Sequence, residues 1–487
     1  MSTIKIVSTN TMYYTISTLV LRASSLFFFP LFSSFLVQSD YGALSIVQSL
    51  VLIIGLIGGL GLNNAITRFI YSKSQNTENN DSTVIYTALI SSIVSQTIIV
   101  LVLLLIGPFL LKPVLKDIPF YPYVFIGLIT IPINTFIDIA RSYFKAVHEG
   151  KKVFILDMSF YSMNIMFNIL FVVGFGFDVL GILLGVLVNT LLFTIILIVL
   201  FYRKFSISYD KKLVTEILKY SIPLVPFIIL NMIFDSVDKF FLNSEIGVEA
   251  SGIYYIALTF AAIFSSVKES IISALTPWVY SKINSQVHAI SKAFNMVIVI
   301  IGFIGICVSF LANDILTILS SNSELLAASK YIPLVVISFY IIFLGQLLNI
   351  KTYYFGNYSK LLFIATFIGI IVEIISCYFL IPEYKILGAA LSRILAFSAQ
   401  TLLFLYFSRL EKESIGLYNY NFLFLCLILM SVIIVLPFFI ELKVNLFISI
   451  IIKSSVLLLI FGIILFAFKK DFQTFIKLFR GKNIDAT

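Results

Sequence analysis

The chain has 487 residues, of which 60% are hydrophobic and 12% charged, with a net charge of +9. A soluble domain carries about 25% charged residues, so this composition excludes a water-facing globular surface and points to a membrane protein. The stretches between oily segments stay below roughly twenty residues, too short for an extramembrane catalytic domain.

The opening "MSTIKIVSTNTMYY" lacks the basic n-region and small-residue cleavage site of a signal peptide, so the first apolar run is expected to stay as an anchor. A membrane helix needs about 20 mostly apolar residues. Fourteen runs meet this: 12–37, 41–64, 83–106, 120–141, 153–174, 178–202, 219–241, 250–275, 293–312, 330–350, 361–381, 386–408, 420–440 and 445–468. The polar break Gln38-Ser39-Asp40-Tyr41 between the first two reads as a tight external turn.

Lys and Arg set the orientation. With a cytoplasmic N-terminus, 23 of the 33 fall in cytoplasmic segments and 5 in external ones. The remainder, Arg22, Lys239, Lys268, Arg393 and Lys453, lie within spans. An even number of spans puts both termini in the cytoplasm. The positive charge therefore reports topology, and nucleic acid is excluded as a partner. In the tail "KKDFQTFIKLFRGK", Phe472, Phe475, Ile476 and Phe479 share a helical face. That segment reads either as a helix lying on the anionic leaflet or as a basic flank.

An internal repeat is legible. "SDYGALSIV" aligns with "EASGIYYIA", Gly42 on Gly252, at an offset of 210, and "VLGILLGVL" aligns with "ILGAALSRI", Gly181 on Gly388, at an offset of 207. The expected fold is thus all-α and polytopic. It has an N-lobe over 1–205 (spans 1–6), a parallel C-lobe over 206–410 (spans 7–12), and two further helices with a basic tail over 411–487. Parallel repeats of this kind suit alternating access around a shared cavity.

Charge inside a membrane costs about 2.5–3.5 kcal/mol per residue on insertion scales, so it faces a cavity or a partner. Arg22 lies near the centre of the first span and reads as an anion ligand or as half of an ion pair. In "NMIFDSVDKFFL", Asp235 and Asp238 are three apart, while Asp235 and Lys239 stand four apart in the order that favours a helical pair. They read as a cation or proton site beside a phosphate ligand, or as a locally neutral pair. Lys268 and Glu269 are adjacent and diverge by about 100° on a helix, so different partners are expected for them. Glu373 and Arg393 read as a mutual pair. Arg68 and Arg141 stand at cytoplasmic helix ends, where topology accounts for them and an arriving head group is the alternative. Asn164, Asn168, Asn189, Asn231, Gln346, Asn349 and Gln400 either join helices or line a sugar cavity.

Cys307, Cys377 and Cys426 sit inside apolar runs and read as small core residues, not as a disulfide framework. His148 and His288 lie in polar linkers and form neither a zinc spacing nor a catalytic dyad. With no Walker A sequence, no ATP engine is encoded, and no cofactor is expected.

The first-span stretch "FFFPLFSSFLVQSDYGALSIVQSL" after Arg22, "GLGLNNAITRF", "RSYFKA" and "SIPLVPFIILNMIFDSVDKFFL" carry a resemblance over residues 10–410. The chain resembles the polysaccharide-exporter branch of the multidrug/oligosaccharidyl-lipid/polysaccharide (MOP) superfamily. Within that branch it resembles the O-antigen and capsule repeat-unit flippases of bacterial inner membranes. The resemblance implies a MATE-like fold and turnover of undecaprenyl-diphosphate-linked oligosaccharides between leaflets. It implies a cationic cavity in which Arg22 and Lys239 take the family's basic positions, with Lys268 placed there by position alone. It also implies proton or sodium coupling in parts of the family, with Asp235 and Asp238 as candidates, and a polysaccharide polymerase and chain-length machinery as partners. The rival readings are a peptidoglycan-precursor (lipid II) flippase or a drug exporter of the same superfamily, and a membrane glycan polymerase or ligase. The last would carry Arg or His in a sizeable external loop, which "GPFLLKPVLKDIPFY" and "ANDILTILSSNSELLAASK" lack.

Overall fold

The structure is a computed structural model that describes residues 12–13, 16–17, 20, 27–73, 81–204, 207–356, 359–410, 416–439 and 444–468. Among them are 13 helices long and apolar enough to cross a membrane, and no strand. Each coincides with one of the apolar runs. Within the first run, 12–37, residues 14–15, 18–19 and 21–26, Arg22 among them, lie outside the described residues, as does the tail 469–487.

The chain divides into two compact units, Met1–Gly252 and Ile253–Thr487. In the first, α1 (Gln38–Gly59) begins where a turn had been read. Asp40 accepts the Val37 N–H at 2.8 Å and caps the helix, so residues 38–41 are its first turn and the turn residues, 33–35, come before it. The polar residues are there because the first helical N–H groups have no intrahelical partner. Leu60 and Gly61 take left-handed backbone and end α1, and α2 (Leu62–Lys73) resumes at once. Then follow α3 (Asp81–Leu110), α4 (Phe125–Ala146), α5 (Gly150–Asn168) and α6 (Asp178–Lys204).

The seventh run is broken twice. After α7 (Lys211–Ser221), a 3-10 turn carrying Pro223 leads into α8 (Val225–Phe234), and residues 235–236 separate α8 from α9 (Val237–Glu245). Proline removes a helical N–H and clashes with the preceding turn. The second break puts Asp235 and Lys239 on either side of an interruption instead of on one continuous helix. Asp235 caps the end of α8 and is exposed, whereas Asp238 is fully buried in the first turn of α9.

The repeat is visible in one contact within this unit. At the start of α10 (Val248–Lys282), a Cβ on Gly252 would lie 1.8 Å from the Gln38 carbonyl oxygen, and a Cβ on Gly42 would lie 1.9 Å from that of Val248. The two contacts exchange into each other at the offset of 210 read from the sequence. Only glycine allows backbones this close.

The second unit holds the rest of α10, with α11 (Val287–Leu319), α12 (Ile332–Phe355), α13 (Ser359–Tyr384), α14 (Ile386–Leu410), α15 (Tyr420–Phe439) and α16 (Leu446–Ala467). Almost every residue of α12 is buried, against α11, α14 and α15. Tyr418, just before α15, donates to the carbonyls of Leu347 (2.9 Å) and Leu348 (3.2 Å) on α12 and stacks on Phe294 of α11.

Candidate functional site

A cavity of about 500 Å³ opens inside the first unit. Its walls come from α1, α2, α3, α4, α5, α6 and α8. Breaking α1 at Leu60 and Gly61 leaves carbonyls that need donors, and α3 supplies them. The Ser95 hydroxyl donates to the Gly58 carbonyl at 2.6 Å and the Gln96 amide to that of Gly55 at 3.3 Å. Gln96 in turn accepts from the Thr135 hydroxyl. The wall thus gains room from Gly55, Gly59, Gly61 and Gly127 and hydrogen-bonding character from Gln48, Asn63, Gln96, Thr130, Asn134 and Thr190. Val51, Ile131, Ile182, Val225 and Ile228 form the apolar part. Among the described wall residues, Asp138 alone is charged.

Asp138 connects the cavity to a polar hub. It accepts from the Asn134 amide at 3.0 Å and from Arg141 Nη1 at 3.0 Å. Arg141 Nε also donates to Asp157 of α5 at 2.8 Å, and Asp157 accepts the Ser17 hydroxyl at 2.9 Å. Arg141 is therefore more than a charge at a helix end. One guanidinium joins α4 to α5 and answers two carboxylates, the arrangement its planar fork favours. Sequence reading missed Asn134, Asp138 and Asp157. A signal was present, because Asn134, Asp138 and Arg141 stand at i, i+4 and i+7 on one helical face.

The other expected site residues fall elsewhere. Arg68 is exposed, with its guanidinium 4.1 Å over the Tyr220 ring. Asn168 donates to Asn164 at 3.1 Å within α5, and Asn189 donates to the Phe160 carbonyl at 3.0 Å. Only the Asn189 bond joins two helices, and none of the three asparagines is in the described cavity wall.

In the second unit, Lys268 and Glu269 do not have separate partners. The buried Lys268 Nζ lies 2.6 Å from Glu269 Oε1 and donates to Gln346 Oε1 at 3.1 Å, while the Gln346 amide donates to that same Glu269 oxygen at 3.1 Å. Both flexible side chains bend toward α12, which overrides the divergence of their Cβ directions. Lys453 of α16 pairs with Asp314 of α11 at 2.5 Å, and Ser449 donates to that carboxylate at 2.7 Å. Glu373 and Arg393 are buried on the packed helices α13 and α14, where the Arg393 guanidinium lies 5.7 Å from the Phe397 ring centre. Gln400 donates to Thr366 at 2.9 Å across the same pair of helices. Among the described residues, no cluster of His, Cys, Asp and Glu could hold a metal ion.

Residues 31–312 match the family model described as "Polysaccharide biosynthesis protein". Among curated proteins, none is significantly similar in sequence. Among solved structures, the fold is similar to that of the lipid II flippase MurJ in an inward closed conformation, with a TM-score of 0.74 at 14% identity over 94% of this chain and 100% of that one. It is also similar to an inward-facing multidrug resistance MATE family transporter of the MOP superfamily (TM-score 0.59, 15% identity, 80% of this chain and 94% of that one). A MOP superfamily transporter from Pyrococcus furiosus, with a binding pocket of reverse polarity, is similar at a TM-score of 0.56 and 14% identity, over 82% of this chain and 94% of that one.

Proposed function

The chain belongs to the polysaccharide biosynthesis protein family, within the MOP flippase superfamily, and from that premise we propose that it turns undecaprenyl-diphosphate-linked oligosaccharides over from the cytoplasmic to the outer leaflet of a bacterial inner membrane. The repeat unit of an O-antigen, capsule or exopolysaccharide is the cargo, and the protein is a transporter rather than an enzyme. Both termini face the cytoplasm, and a polysaccharide polymerase with its chain-length machinery receives the product.

The observation that supports this reading is the wall of the first unit's cavity. A sugar hydroxyl both donates and accepts, and so does a primary amide. Gln48, Asn63 and Asn134 bring three such amides to a membrane-spanning unit, beside the carboxylate of Asp138, while Gln96 is held by Gly55 and Thr135. A glycan in hydrocarbon would leave each hydroxyl unpaired at a cost of several kcal/mol, and this wall replaces water for it. The polyprenyl tail stays in lipid. A described wall with no cation does not suit a diphosphate, so that group is met elsewhere. Arg141 is already answered by two carboxylates and keeps a structural role. The candidates for the diphosphate are Arg22, Arg68 and Lys239 of the first unit and Lys268 of the second, and Asp235 and Asp238 are the candidates for proton or sodium coupling.

The test is translocation in reconstituted vesicles of undecaprenyl-diphosphate-linked oligosaccharide from the producing cell. Wild type moves it, and Gln48→Leu with Asn63→Leu slows it at least tenfold, on the scale at which a site built for hydroxyls loses its partners. Full activity in the double variant would remove the cavity from the path. The likeness to a lipid II flippase favours one second reading, transport of lipid II, which the same vesicles test with that lipid.

A further inference from the structure

Glu269 is the feature that transport through this fold does not absorb. Its side chain is 48% exposed, while that of Lys268 beside it is 4% exposed. Glu269 lies nine residues inside Trp278 on α10, about 14 Å along the axis from a residue type that marks the membrane interface. A carboxylate exposed at that depth needs water, because hydrocarbon would not hold its charge. Along the same helix, Ser273, Ala274 and Pro277 are exposed as well, so one face of α10 is open below Glu269. The ammonium is buried directly behind this wet carboxylate. Gln346 closes the triangle by accepting from Lys268 and donating to Glu269.

We propose that Glu269 is an exchangeable cap on Lys268, and that the polyprenyl diphosphate binds by displacing it. This rests on the reading of Lys268 as a diphosphate ligand. A buried lysine without an anion is costly, and a permanent bond to a buried carboxylate would make it inert. A carboxylate at the water boundary avoids both outcomes. It neutralises the ammonium while the site is empty and leaves into water when a diphosphate, with more charge and more acceptor oxygens, arrives. The amide of Gln346 holds the lysine in place during the exchange, because its oxygen bonds Lys268 in either state. Glu269 is thus a positioning residue that sets how strongly the site prefers a dianionic head group over a singly charged lipid.

The experiment measures binding of undecaprenyl diphosphate to the full chain in phosphatidylcholine nanodiscs. Glu269→Gln should bind it about five- to tenfold more tightly, the gain expected from removing a competing charge-assisted bond. Lys268→Met should weaken it at least tenfold, and the double variant should lose the gain from Glu269→Gln. Gln346→Leu, which keeps both charges and serves if Glu269→Gln does not fold, should tighten binding two- to threefold by loosening the cap. Unchanged or weaker binding in Glu269→Gln, or a gain that survives without Lys268, overturns the cap. Vesicle translocation fails separately: tighter binding with no transport leaves the cap standing and removes the flippase reading.

Discussion

The two units use equivalent helices in opposite ways. At the repeat offset of 207–210, α4 corresponds to α12. In the first unit α4 borders a cavity through Gly127, Thr130, Ile131, Asn134 and Asp138. In the second, most of α12 is buried, with α15 and Tyr418 packed on it and only Tyr353 and Tyr354 at its end exposed. One helical scaffold is therefore hollow where its facing residues are glycines and amides, and solid where they are Leu, Ile and Phe. The two helices beyond the repeat help make it solid, since α15 packs on α11 and α12 and α16 packs on α11. Charge follows the same division. Arg141 and its two carboxylates adjoin the hollow, whereas Lys453 and Asp314 are closed into helix packing.

Removing the hub's cation should give the largest effect. Arg141→Met leaves Asp138 and Asp157 facing each other across α4 and α5 and should cost about 2–3 kcal/mol of stability, less than a fully buried pair because Arg141 and Asp138 are each about a third exposed. Thermal unfolding in detergent reads this, and adding Asp157→Asn should recover part of it. A hub that tolerates Arg141→Met without loss would mean that water from the cavity already solvates both carboxylates, and the hollow would extend further than its present wall.

Two glycines put the contrast between hollow and solid to a direct test. A Cβ on Gly345 of α12 would meet Phe404 and Thr401 of α14 at 2.8 Å, while one on Gly55 of α1 meets only Ile131, at 3.7 Å. Gly345→Ala should therefore destabilise by about 1–3 kcal/mol through overpacking. Gly55→Ala should stabilise by about 0.5–1 kcal/mol, because alanine favours helix and the space is open. Opposite signs in the same unfolding assay sharpen the comparison, and equal signs break it.

The span positions and the repeat were legible because both are written in local pattern. An apolar run of membrane length has one reading, and the glycines of "SDYGALSIV" and "EASGIYYIA" are needed where two backbones touch. The helix breaks were less legible. Leu60 ends α1 in left-handed backbone without the residue types that announce it, although Gly61 follows. The site was least legible, since a buried charge in a sequence shows its cost and not its partner. Asp157 is 16 residues from Arg141, and Gln346 is 78 from Lys268. Only packing brings those pairs together. Residue adjacency misled at Lys268 and Glu269 because long side chains can turn toward a shared third group.

The smallest expected effect concerns the residue that seals the solid unit. Tyr418→Phe keeps the ring stacked on Phe294 and removes only the hydroxyl that serves the Leu347 and Leu348 carbonyls, so it should cost about 1 kcal/mol. Its dependence on pH separates a sealed hydroxyl from a wetted one. Burial pushes the Tyr418 phenol up from its ordinary value. The neutral hydroxyl is favoured in the folded state, so its contribution is complete below the unfolded tyrosine pKa of about 10 and is lost as pH rises further. The stability gap between wild type and Tyr418→Phe should thus be flat from about pH 6 to 9 and close above about pH 10, with the phenylalanine form becoming the more stable. A gap unaffected by alkaline pH would mean that the phenolate is accommodated at no cost. Water would then have to reach α12, and the second unit would be hollow as well.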